Sequence, residues 1–132
     1  MASAPPNKRP LSPHLQVWKW TLTMTMSILH RATGVANIVG LVVIVWWLLA
    51  AATGPEAYEN FMNFASSGLG KLMFLGWTFS VYLHMLGGIR HLIMDTGRLL
   101  TIQSSNTAVL FIWTATFVLT AATWCAIYGV SQ

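Results

Sequence analysis

Three stretches of this 132-residue chain carry no charged side chain: Ala32 to Pro55, Leu72 to Ile89, and everything after Arg98. A helix needs roughly 20 predominantly apolar residues to cross a hydrocarbon core about 30 Å thick, and each stretch is of that order. In lipid the backbone must satisfy its own hydrogen bonds, so stretches of this length become helices. With 55% of residues hydrophobic and only 8% charged, a soluble domain is excluded, because its surface would need far more charge. The expected fold is an all-α membrane protein with three transmembrane helices. A polar arm covers residues 1–23 and a three-helix anchor domain residues 24–130, with spans at about 24–52, 71–94 and 107–130.

The arm contains Pro5, Pro6, Pro10 and Pro13, which rule out a continuous helix there. Trp18 and Trp20 follow at the depth where aromatic rings favour the headgroup layer. Thr53, Gly54 and Pro55 stop the first span, and Pro55 is suited to open a short interfacial helix. The segment from Asp95 to Asn106 reads as a polar connection.

The formal charge of +4 does not indicate nucleic acid, because the basic residues are too few and too scattered to follow a phosphate backbone. Their distribution fits membrane topology. Lys8, Arg9, Lys19 and Arg31 precede or open the first span, and Arg90 and Arg98 flank the connection between the second and third. Only Lys71 lies in the other connection. Positive-inside bias therefore places the N-terminus and the second connection in the cytoplasm. No apolar segment suited to a cleavable signal precedes Lys19. Cys125 is the only cysteine, which excludes an internal disulfide and a C-x-x-C-H haem attachment, and it is expected to be a small packing residue.

Two groups of residues carry chemistry. The second span contains SVYLHMLGGIRHLIMD, Ser80 to Asp95, in which His84, Gly88 and His91 return to one helical face. His84 lies about 16 Å along the axis from Asp95 at 1.5 Å per residue, near mid-membrane. An ionisable side chain at that depth marks a functional site by default, and neutral imidazole is a ligand for haem iron and other metals. Two readings stand at this point. Gly87 and Gly88 pack against a neighbouring helix while His84 makes one interhelical hydrogen bond, or they leave a groove in which His84 ligates a metal or haem. His91, nearer the interface, suits hydrogen bonding or charge compensation. At the mouth of the first span, SILHRATG places Ser27, His30, Arg31 and Gly34 on one face. This donor-rich patch suits a carbonyl oxygen or the carboxylates of a cofactor. Snorkelling of Arg31 to headgroups explains the arginine but leaves Ser27 and His30 unexplained.

RPLSPHL (Arg9 to Leu15), SILHRATG and HMLGGIRHLIMD (His84 to Asp95), on three spans in this order, resemble the cytochrome b556 membrane-anchor subunits of succinate dehydrogenase, respiratory complex II. The resemblance covers nearly the whole chain. It implies one haem b shared within a heteromeric helix bundle, with His84 as one axial ligand to the iron and a histidine of a second membrane-anchor subunit as the other. It further implies that His30, Arg31 and His91 lie near the haem propionates, and that Ser27 and Arg31 line a ubiquinone site. The implied partners are a flavoprotein subunit, an iron–sulfur subunit, the second anchor subunit and the lipid bilayer. The chain is expected to hold no catalytic residue of its own and to act only as a subunit of the succinate:quinone oxidoreductase. Because the matching motif begins at Arg9, a bacterial plasma membrane is expected rather than a mitochondrial one. The competing expectations are a haem-free structural anchor and the anchor of a fumarate reductase. A small transporter is disfavoured, since the spans hold no carboxylate within them for coupling.

Overall fold

A computed structural model describes residues 18–130, and the Pro-rich arm and RPLSPHL fall outside the described residues. The order is α1 (Leu22–Thr53), α2 (Pro55–Ser66), α3 (Gly68–Asp95) and α4 (Ile102–Val130), with no strand among the described residues. Three of these helices, α1, α3 and α4, are long and apolar enough to cross a membrane. At 1.5 Å per residue, the 32 residues of α1 extend about 48 Å, so its ends must reach headgroup depth or the helix must tilt.

Local chemistry sets the helix ends. Thr21 caps α1, its hydroxyl accepting from the amide of Met24. Gly54 ends it at φ 137°, a backbone conformation that side-chain-bearing residues avoid, and Pro55 at once opens α2. Ser67 caps α3 by accepting from the amide of Gly70. Helix α4 begins at Ile102, so residues 102–106 are helical rather than part of the connection that their polarity suggests. Thr101 accounts for this, its hydroxyl accepting from the amide of Ser104 across the first turn. The remaining α3–α4 link turns through Gly97 and Leu99, both at positive φ.

Helix α3 sits between the other two spans. Against α1 its contact is a close one: a Cβ at Gly40 would overlap the indole of Trp77. Against α4 it forms the apolar core, where Leu83, Val109 and Ile112 join Met26 of α1. At the far end Tyr82 and Thr123 share a 2.8 Å hydrogen bond, and the Trp124 indole donates to the Thr78 hydroxyl over 3.4 Å. Helix α2 is amphipathic, with Phe61 buried and stacked edge-on against Trp46 of α1 at 4.9 Å. Trp46 itself stays exposed apart from its ring contacts to α2.

Only 11% of the most apolar window of α1 is buried, and 17% in each of α3 and α4. Val35, Ile38, Leu41, Val42 and Leu49 stay exposed on α1 alone. Such faces are tolerable only against lipid or the helices of another subunit. Cys125 also lies on an exposed face, so the packing role expected for it is not made within this chain. Arg90, expected to flank the connection, is instead buried between α3 and α4.

Candidate functional site

Antiparallel α1 and α3 bring the start of one beside the end of the other, and three histidines meet there. The rings of His30 and His84 stack with centroids 4.1 Å apart and planes 10° from parallel. His91 meets His30 edge-on at 5.1 Å. Helical spacing puts His84 and His91 on one face of α3 and His30 on the Ser27 face of α1, but nothing within a single helix tells that the two faces pair.

His84 is held by the main chain of α1. Its Nδ1 lies 3.0 Å from the carbonyl oxygen of His30 and 3.3 Å from the Thr33 hydroxyl. A carbonyl only accepts, so Nδ1 carries the proton and donates. In the neutral ring Nε2 then keeps its lone pair, and it takes no partner among the described residues. Thr33 donates its own proton to Leu29 O at 2.8 Å and His30 O at 3.0 Å, leaving an oxygen lone pair for the imidazole. Below it, Ser80 Oγ shares its proton between Asn37 Oδ1 at 2.9 Å and Thr33 O at 3.2 Å. A continuous polar seam therefore runs from His30 to Asn37 inside an otherwise apolar interface. Gly34 makes room for it, since a Cβ there would stand 3.2 Å from His84 Cε1.

The two adjacent glycines of α3 do different things. A Cβ at Gly87 would lie 2.6 Å from His30 Cδ2 and 2.8 Å from Met26 Cε, so Gly87 is where α1 and α3 approach. A Cβ at Gly88 would meet nothing within 4 Å. The buried face of α3 runs through Ser80, Leu83, Gly87 and Arg90. His84, Gly88 and His91 therefore occupy its flank, half-buried or exposed, and that flank opens outward from the chain. Both readings of the glycine pair are accommodated: Gly87 serves the helix contact, and Gly88 keeps the flank beside His84 clear.

His30 Nε2 is buried without a partner, pressed toward the Gly87 position. A group reaching His30 from outside the chain thus meets the other edge of its ring. Ser27 is half-buried and Arg31 exposed, at the same end of the bundle. No hydrogen bond joins either of them to the histidines among the described residues. No group of three metal-ligating side chains occurs among those residues, so a metal held here would need ligands from outside them.

The donor set fits a haem iron. A metal-bound histidine usually donates its second ring nitrogen to a carbonyl or carboxylate, which fixes tautomer and ring direction. His84 already does this with the His30 carbonyl. What position alone did not reveal is Arg90: its Nη2 donates to Ser105 Oγ at 2.6 Å, and its Nε is buried unpartnered. The available signal was its place on the same face as Leu83 and Gly87 rather than on that of His91.

Comparison with known proteins gives a consistent result. The family model described as succinate dehydrogenase/fumarate reductase transmembrane subunit matches residues 5–123. The chain is 41% identical over 106 residues to the succinate dehydrogenase cytochrome b556 subunit of Paracoccus denitrificans, covering 80% of this chain and 82% of that one. It is 33% identical over 118 residues to the corresponding subunit of Rickettsia felis, covering 89% and 92%. The mitochondrial cytochrome b560 subunit of Sus scrofa is 39% identical over 101 residues, covering 73% of this chain and 58% of the relative.

Proposed function

The chain belongs to the succinate dehydrogenase/fumarate reductase transmembrane-subunit family, and on that premise we propose that it is the haem b-binding anchor that forms part of the ubiquinone-reduction site. The observation that carries this reading is His84, whose Nδ1–H is taken by the His30 carbonyl while Nε2 stays available on an open flank. His84 would hold the haem iron from this chain, and a histidine of a second anchor subunit, seated against the flank of His84, Gly88 and His91, would hold it from the other side of the bundle. Arg31, His91 and the outer edge of His30 would compensate the propionates. When bound, the haem supplies a one-electron store beside the quinone.

Ser27 and Arg31 would work on the quinone itself. The Ser27 hydroxyl donates to a quinone oxygen, and the Arg31 guanidinium balances the negative charge that develops there as electrons arrive. Their place at the first turns of α1 puts them where a headgroup meets the bilayer edge and leaves the isoprenoid tail in lipid. Electrons originate in succinate oxidation on the flavoprotein and pass through the iron–sulfur subunit. Those subunits dock on the cytoplasmic side, with the N-terminus of this chain facing them in a bacterial plasma membrane. The basic residues at this end support that orientation.

The test separates quinone chemistry from assembly. In the assembled complex, Arg31→Ala or Ser27→Ala is expected to lower succinate–quinone activity by about 10²-fold, the cost of removing one well-placed donor from a developing oxyanion. Succinate oxidation by a soluble dye should be retained. Equal loss of both activities would overturn the assignment and point to a failed complex.

A further inference from the structure

We propose that the cleft between α3 and α4 is a binding site for one anionic phospholipid, held through its phosphate by Arg90. The site is distinct from the histidine cluster: it faces α4, whereas His84 is bonded to α1. Arg90 is 8% exposed, and its only hydrogen-bond partner among the described residues is the neutral hydroxyl of Ser105. Its Nε is buried with no partner at all. A guanidinium withdrawn from water without a countercharge is costly, and each unmade hydrogen bond adds to that cost. Removing the cost requires an anion that reaches the buried nitrogen.

The cleft supplies the route. A cavity of about 490 Å³ is lined by Arg90 together with Ser104 and Thr107, and further in by Leu86, Phe111 and Ile112. Its polarity is graded along the membrane normal. The hydroxyls stand near the start of α4 and Arg90 lies five residues before the end of α3; Leu86, Phe111 and Ile112 lie deeper, while Ile93 and Leu99 flank the mouth. A phospholipid has the same gradient, with the phosphate at the boundary and acyl chains toward the midplane. Basic pockets between membrane helices recognise lipid head groups by this chemistry, and a guanidinium pairs with phosphate through two parallel hydrogen bonds. A partner helix would need to bring a carboxylate to the same depth, whereas the lipid has its charge there already. The charge complementarity and graded lining therefore favour lipid.

The experiment is native mass spectrometry of the purified, assembled complex, titrated in detergent with phosphatidylglycerol or phosphatidylcholine. The wild type is expected to retain phosphatidylglycerol in preference to phosphatidylcholine. Arg90→Gln, which keeps much of the shape and loses the charge, is expected to retain phosphatidylglycerol about tenfold less well, with the reduced b-type spectrum intact. Equal retention by wild type and Arg90→Gln, or equal retention of the two lipids by the wild type, would overturn the proposal. Should Arg90→Gln fail to assemble, Ala108→Trp fills the apolar part of the cavity without removing the guanidinium. Loss of phosphatidylglycerol in that variant supports the site, and undiminished retention overturns it. A structure of the complex in phosphatidylglycerol nanodiscs with a protein carboxylate on Arg90 would also overturn it.

Discussion

The two sides of α3 solve the same packing problem with different materials. Toward α1 the contact is made by glycines and polar side chains: Gly34, Gly40 and Gly87 make room for the rings of His84, Trp77 and His30, and Thr33, Ser80 and Asn37 bond across or along the interface. Toward α4 the centre is made by Leu83, Val109 and Ile112, with Thr116 turned back on its own helix at Ile112 O, and the side-chain hydrogen bonds lie away from it, at Arg90–Ser105, Tyr82–Thr123 and Thr78–Trp124. Lipid tails are as apolar as leucine, so the α4 side gains mainly shape-matched packing and little from water exclusion. On the α1 side the directional bonds converge around one ring and fix it at a defined angle. An interface that only has to hold can be apolar at its centre; one that has to aim a side chain needs hydrogen bonds at that side chain.

The largest test of this contrast removes the aimed group. His84→Leu is expected to abolish the reduced b-type absorption of the complex while α3 still packs on α4. An unchanged spectrum would rule out ligation at this residue. Next come the paired glycines. Gly87→Val forces a branched side chain into His30 and Met26 and is expected to cost about 1–3 kcal/mol or more of helix-packing stability, read as a lowered thermal midpoint of the complex. Gly88→Val meets nothing within this chain. Loss of haem in that variant, with the packing of the chain preserved, would therefore locate the haem or its partner helix on the flank. Equal damage from both substitutions would erase the distinction between contact and clearance. The smallest effect is expected on the other side. Val109→Ala removes two methyl groups from a fully buried position and should lower stability by about 1 kcal/mol. The haem spectrum should stay unchanged, and a spectral shift there would show that the two sides are coupled.

Much of this architecture is legible in the residues, and what is hidden has a physical reason. The three long apolar helices follow from uncharged stretches and bilayer thickness, and the short helix after Gly54 from a proline at its start. The seven-residue spacing of His84 and His91 gives their common face. Helical periodicity, however, describes one helix at a time. It does not say that His30 stacks on His84, because that depends on the rotation of α1 about its axis. Nor does it separate Gly87 from Gly88, which are 100° apart on the helix and equally small. Arg90 looked like a boundary charge because basic residues usually are; its burial reflects a face shared with Leu83 and Gly87. The pairing of His84 with a main-chain acceptor was also out of reach, since every residue offers a carbonyl and none advertises it.

That last feature has a consequence for inheritance. The acceptor that sets the tautomer of His84 belongs to the peptide unit of position 30, not to its side chain. Whatever amino acid a mutation installs there, the oxygen remains, so the direction of the unpartnered Nε2 of His84 is insulated from drift in the very ring it lies upon.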